Sequence, residues 1–223
     1  MTMEVREVKE RDRIPFRCQQ CGQCCRKIEN SVMLEPPDVY HLSRHLRDMG
    51  EEIEGPEDFL SQYAVPQMLF EHFPIFVMKT VEPEQSCIFL KDGRCSVYAA
   101  RPKVCRLYPF SLGPGKRGRD FQYALCLDRS HHFTGGTVLV KDWFYENLSR
   151  ELRGFNKAEF EDVVFYGTAI RKMGERANTL LPLFLYFRYF AYDLNKPFLP
   201  QFEANRAELC RRVARSVQRH EGR

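Results

Sequence analysis

Four thiols within eight residues, Cys18-Gln19-Gln20-Cys21-Gly22-Gln23-Cys24-Cys25, constrain this chain more than any other feature. Thiols crowded in this way oxidise readily unless a ligand holds them. Three cysteines at three-residue steps can wrap a short loop around one metal centre. The glycine between them permits a left-handed turn that brings backbone amides towards the sulfurs. Arg17, Arg26 and Lys27 surround the loop with positive charge, which favours thiolates. A second group follows at Cys87, Cys95, Cys105 and Cys126, and the last 97 residues hold only Cys210, which reads as an isolated thiol.

Disulfides are the competing use of these cysteines. The first residues are charged throughout and lack the apolar stretch of a signal peptide. No apolar run approaches the ~18 residues of a membrane span. The expectation is therefore a cytoplasmic protein, in which structural disulfides are rare. Among metals, zinc takes four thiolates in a closed tetrahedron. The C-x-x-C-x-x-C step is also that of the run which holds much of a 4Fe–4S cluster in ferredoxins, with a further cysteine supplied from elsewhere. Adjacent cysteines in an extended segment point to opposite sides. Cys24 and Cys25 therefore read as serving different centres, or as one ligand and one free thiol. Eight thiolates make two four-ligand sites or one polynuclear site, and counting does not choose between them.

Around the cysteines the pattern is that of an α+β chain: an irregular cysteine-rich metal-binding domain with short antiparallel hairpins and helices, followed by a mainly α-helical C-terminal part. The division is placed at 1–136 and 137–223, next to the Gly135-Gly136 breaker. The first part carries 19 basic and 19 acidic residues, the second 15 and 11. Val39, Leu42, Leu46 and Met49 predict a helix stopped by Gly50, and a shorter helix is expected over 57–64. A strand is expected over 73–81. Hairpins are expected for 87–90 with 95–98 across Lys91-Asp92-Gly93, and for 106–112 with 120–127. Helices are expected over 142–153, 158–176, 180–194 and 203–220. The third is dense in aromatics (Phe184, Tyr186, Phe187, Tyr189, Phe190, Tyr192) and reads as a core helix rather than a membrane-surface helix, since it is short and contains Arg188.

The two cysteine groups stand in a recognisable order. The quartet is followed by Cys87-Ile88-Phe89-Leu90, by Gly93-Arg94-Cys95-Ser96-Val97-Tyr98 and by Arg101-Pro102-Lys103-Val104-Cys105-Arg106-Leu107-Tyr108-Pro109-Phe110. Over about residues 16–128 the chain resembles the YkgJ-type cysteine-cluster family, CxxCxxCC proteins described as zinc- or iron-chelating or as iron–sulfur oxidoreductases. The resemblance implies metal ligands at Cys18, Cys21, Cys24, Cys25, Cys87, Cys95, Cys105 and Cys126, with Cys126 the loosest match. It extends to the flagellin lysine-N-methylases, which carry a similar cluster. The C-terminal helical part lies outside it.

Other side chains have two readings each. Arg101 and Arg106 flank Cys105 and offer guanidinium donors to cluster sulfurs or a substrate anion, or else pair with carboxylates. Tyr98 and Tyr108 relay electrons or protons, or pack beside the cluster, and packing is the preferred reading. His41 and His45 are one helical turn apart but read as a solvated helix face. His131-His132 follow Cys126 and read as loop histidines rather than replacement ligands. Arg206, Arg211, Arg212, Arg215 and Arg219 are diluted by Glu203 and Glu208, which argues against nucleic-acid binding. The Lys116-Arg117-Gly118-Arg119 tip reads as a solvated hairpin end.

The reading is a metalloprotein with an iron–sulfur centre, favoured over zinc, in a redox or catalytic role. Its partner would be a protein substrate or redox partner. The alternatives are a structural zinc-binding interaction module and an S-adenosylmethionine-dependent protein lysine N-methylase. In either case the metal would replace much of the hydrophobic core of the cysteine-rich part and couple binding to folding.

Overall fold

The computed structural model describes residues 4–115 and 121–222, so the Lys116–Arg119 tip lies outside the described residues. The chain forms two compact units, each built from two stretches. The first comprises Met1–Val32 and Thr80–Glu161, the second Met33–Lys79 and Asp162–Arg223. The boundary expected at 136/137 therefore does not coincide with a boundary between compact units. The last crossing from one to the other falls inside a single helix, Arg150–Met173.

The first unit is organised by a three-stranded antiparallel sheet. Strand Phe121–Cys126 lies in the middle, between Val5–Val8 and Phe110–Pro114. The second strand of the expected hairpin is thus central, with Phe110 opposite Leu125 and Leu112 opposite Tyr123. The first strand begins later than expected, because Lys103–Leu107 is a short helix. Pro102 precedes that helix and the Arg106 amide donates to its carbonyl, a geometry that the fixed proline φ favours. The N-terminal strand Val5–Val8 completes the sheet and pairs in register with residues 123–126.

Val8, Ile14, Phe16, Leu107, Phe110, Leu125, Val140, Phe144, Leu148 and Leu152 form a continuous buried core in this unit. The expectation that metal would replace much of its core is corrected: this cluster alone holds ten buried apolar side chains beside the cysteine-bearing loops. Helix Val140–Asn147 closes over that core, with the Trp143 indole donating to the Leu107 carbonyl at 2.9 Å. The expected helix 142–153 is broken at Leu148, whose backbone is extended. Ser149 then accepts the Leu152 amide and starts the next helix, as an N-cap serine does.

The hairpin at Lys91-Asp92-Gly93 is present but very short. Leu90–Lys91 pairs with Arg94–Cys95, and Asp92 and Gly93 both take positive φ, as a tight hairpin turn requires. Cys87, expected in that hairpin, pairs instead with Thr80, in the short ladder of Ser86–Cys87 with Thr80–Val81.

In the second unit, Pro36–Asp48 and Pro56–Tyr63 are helices that start on proline. The Asp38 carboxylate accepts the Glu35 amide at 3.1 Å and Asp58 accepts that of Gly55 at 3.1 Å, so each helix start is capped from inside. Strand Phe73–Met78 sits between Met33–Leu34 and Ala64–Leu69. Helices Leu181–Leu185 and Phe198–Glu221 follow, and the aromatic helix ends in a wider turn over Tyr186–Phe190, short of the expected 194. Phe184 and Tyr189 are almost fully buried and Phe187 nearly so, which makes this a core helix. No helix among the described residues is long and apolar enough to cross a membrane.

Candidate metal centre

The motif loop is folded by its own backbone. Gln20 and Gly22 take positive φ, and the Cys25 amide returns to the Gly22 carbonyl at 3.0 Å, so Gln23–Cys25 forms a single tight turn. This geometry overturns the expectation that Cys24 and Cys25 point apart. Their sulfurs lie 4.0 Å from each other, because a helical turn, unlike a strand, keeps neighbouring side chains on adjoining directions.

Two docking contacts fix the loop against the second cysteine group. Gly22 packs so tightly on the Asp92-Gly93 turn that a Cβ on it would lie 2.5 Å from the Gly93 carbonyl oxygen. Beyond the motif, the Lys27 and Ile28 amides donate to the carbonyls of Glu84 and Gln85 at 3.1 and 3.0 Å, just before Cys87. Arg129 donates to the Arg26 carbonyl at 3.1 Å.

The result is a group of five thiols. Cys24, Cys25, Cys87, Cys95 and Cys105 lie close enough to influence one another's ionisation. The sulfur contact with Cys25, opposed by burial and helped by Arg101 and Arg129, pulls the Cys24 thiol below its ordinary range. Cys25 is pushed up by the same contact, by burial and by the charges of Cys24, Cys105 and Cys87. Burial, with the charges of Cys95 and Cys24, pushes the Cys87 thiol up to about 11. Burial also raises Cys95, against the pull of the Val97 amide and Arg101. Cys24 and Cys25 are in sulfur contact at 4.0 Å, and thiols so placed ionise together only if a cation compensates them, which is the chemistry of a soft-metal site.

Arg101 belongs to this group. Its guanidinium lies 3.7 Å over the Tyr98 ring, and its buried Nε has no hydrogen-bond partner among the described residues. A buried donor without an acceptor, beside Cys24 and Cys95, fits an anionic metal–thiolate centre. Arg106 lies on the helix that carries Cys105 and its side-chain Nε is buried.

Cys21 meets two histidines. Its sulfur lies 3.2 Å from His132 Nε2 and 3.7 Å from His131 Nε2, and the three donor atoms lie within 4.8 Å of one another. The histidines that read as metal-free loop residues are thus at the motif, carried by the turn Ser130–His132. Their position only five and six residues after Cys126 was the available signal. Tyr108 donates to or accepts from His132 Nδ1 at 3.1 Å, so its hydroxyl does more than pack.

Cys18 is exposed. Its neighbours tie its segment to the histidines: the Arg17 amide donates to the His132 carbonyl at 3.2 Å and Gln19 Nε2 to that of His131 at 3.0 Å. Cys126, at the end of its strand, lies near Tyr108, Asp128 and Arg129, and burial raises its thiol. No disulfide joins any of the nine cysteines. His41 is half-buried and packs edge-on against Tyr40 in the second unit. Arg206 is paired with buried Asp162 at 2.7 and 2.8 Å, and Arg211 and Arg212 share Glu208, so two carboxylates offset part of the basic stretch.

The family model for "CxxCxxCC: Putative zinc- or iron-chelating domain" matches residues 17–132, from the residue before Cys18 to His132. This chain belongs to the CxxCxxCC family. The match spans every cysteine but Cys210, and it ends on the histidine that faces Cys21. Among curated relatives, the chain is 27% identical to "Uncharacterized protein MJ0661" of Methanocaldococcus jannaschii over 101 residues, 44% of this chain. It spans 47% of that relative's length, about half. No solved structure matches the chain.

Proposed function

We propose that this CxxCxxCC protein carries an iron–sulfur centre on the group Cys24, Cys25, Cys87, Cys95 and Cys105, and serves a redox or catalytic role in the cytoplasm. The observation that carries this reading is the contact of the Cys24 and Cys25 sulfurs at 4.0 Å, with Cys87, Cys95 and Cys105 from three further stretches near enough to act on their charge, beside Arg101 with its buried Nε. A four-iron cluster takes four thiolates, and hydrogen bonds to the sulfurs help to set its potential. Bound here, such a cluster would supply electron transfer or the activation of a substrate at iron. The chain's own residues contribute positive charge from Arg101 and Arg129, and the tight Gly22–Gly93 contact holds the motif loop in place.

Anaerobic purification tests the reading. Brown protein containing iron and acid-labile sulfide, with a visible absorption that bleaches on reduction, is expected. Colourless protein with stoichiometric zinc and no sulfide would replace it by the structural zinc module. Zinc is the second reading because it too takes four thiolates, in a closed structural site. The lysine methylase alternative rests on family resemblance and is tested by mass spectrometry for methyl increments on protein lysines in the presence of S-adenosylmethionine.

A further inference from the structure

The side chains of Cys21, His131 and His132 form a donor set of their own. Cys21 lies on the motif loop and the histidines on the Ser130–His132 turn, more than a hundred residues later. A tetrahedral zinc with sulfur at about 2.3 Å and nitrogen at about 2.0–2.1 Å holds the two donors about 3.6 Å apart. The observed separations from Cys21 Sγ are 3.2 and 3.7 Å. Both imidazoles present Nε2, and the other nitrogen of His132 is engaged by the Tyr108 hydroxyl at 3.1 Å, an outer partner of the kind that fixes the ring of a metal-bound histidine.

The turn that carries the rings is itself held. The His132 amide donates to the Arg129 carbonyl at 3.0 Å, and the Gln19 and Thr134 side chains donate to the His131 carbonyl at 3.0 Å each. The Phe16 ring meets the His132 ring edge-on, with 6.2 Å between centroids. His132 is buried, Cys21 is half-buried and His131 is exposed, so the set is open on one side.

We infer that Cys21, His131 and His132 form a second, mononuclear metal site for a borderline divalent ion such as zinc, separate from the five-thiol group and open to solvent or an exogenous anion at its fourth position. The inference does not depend on which metal the five-thiol group takes. Three protein ligands with one open position are the arrangement of a reactive rather than a closed structural zinc site. Two imidazole nitrogens and one thiolate suit a borderline ion such as zinc.

Metal analysis of the full-length protein tests it, by counting iron, sulfide and zinc together. The histidine double variant His131→Ala/His132→Ala is expected to lose one equivalent of zinc per chain while iron and sulfide stay. Cys87→Ser is expected to do the reverse. Because His132 is buried, the exposed His131→Gln variant provides the second measurement. Zinc release to a chromophoric chelator should show at least tenfold weaker binding, and Tyr108→Phe about 10–100-fold weaker. After cobalt substitution, wild type should show a thiolate-to-cobalt charge-transfer band and intense four-coordinate visible bands that weaken in His131→Gln. Unchanged zinc affinity and cobalt spectrum in His131→Gln would overturn the inference. So would loss of iron and zinc together in that variant, or alkylation of Cys21 that proceeds equally fast with and without zinc. Failure of the iron–sulfur reading alone would leave the histidine-dependent zinc in place.

Discussion

Gly22 and Gly93 approach so closely that a methyl group on the first would meet the carbonyl oxygen of the second at 2.5 Å. This contact joins the motif loop to the turn that precedes Cys95, and both glycines take positive φ, at 69° and 73°. It explains why a glycine stands inside the motif on two separate grounds, conformation and space.

The comparison of Gly22→Ala with Gly93→Ala separates those grounds. Each substitution carries the backbone cost of a non-glycine residue in a strained conformation, roughly 1–3 kcal/mol. Nothing lies within 4 Å of a Cβ built on Gly93. Gly22→Ala should therefore be the more destabilising in denaturant unfolding, and it alone should lower bound metal. Equal effects would show that the close approach is not rigid.

Cysteine substitutions should divide the chain. Cys24→Ser removes a thiol 4.0 Å from Cys25 and should strip metal from the five-thiol group. Cys210→Ser, on a half-buried thiol 3.9 Å from the Tyr166 hydroxyl, should leave metal content unchanged. Iron, zinc and sulfide determined per chain check both, and loss of metal in Cys210→Ser would contradict the ligand assignment.

Arg101 is expected to tune the centre rather than build it. Arg101→Leu removes positive charge near Cys24 and Cys95 and should weaken metal binding by about 10–100-fold, with stoichiometry intact at saturation. Arg101→Lys keeps the charge but loses the planar guanidinium stacked on Tyr98, so partial recovery is expected. Competition with a chelator across the three proteins measures the difference.

In the second unit, Arg206→Ala would deprive Asp162, only 4% exposed, of its two-pronged partner. Hydrogen bonds to charged groups contribute roughly 1.5–3 kcal/mol, and a loss of that order is expected in urea unfolding. Metal content should not change. Weaker nucleic-acid binding without loss of stability would assign that arginine a different role.

Local chemistry was legible in the residues themselves. The Lys91-Asp92-Gly93 turn, the two proline-started helices and the glycine within the motif follow from φ preferences and capping that act over a few positions. Family membership could be read in the same way, from the order of the cysteine blocks. The helix at Lys103–Leu107 was missed because apolar residues in so short a segment fit either a strand or a helix.

Sequence alone determined that thiols would dominate the chemistry of the first 132 residues and that aromatic helices would pack in the last part. Only the tertiary structure decided which donors meet. Spacing assigned Cys21 to the other cysteines, whereas folding sets it against His131 and His132, and it turns Cys24 and Cys25 towards each other. Each compact unit is likewise assembled from two separated stretches, one of which brings Cys87 to the loop that begins at Cys18. The physical reason is the range of the forces involved. Backbone preferences act between neighbours, but coordination and close packing act between atoms that only the completed chain path brings together.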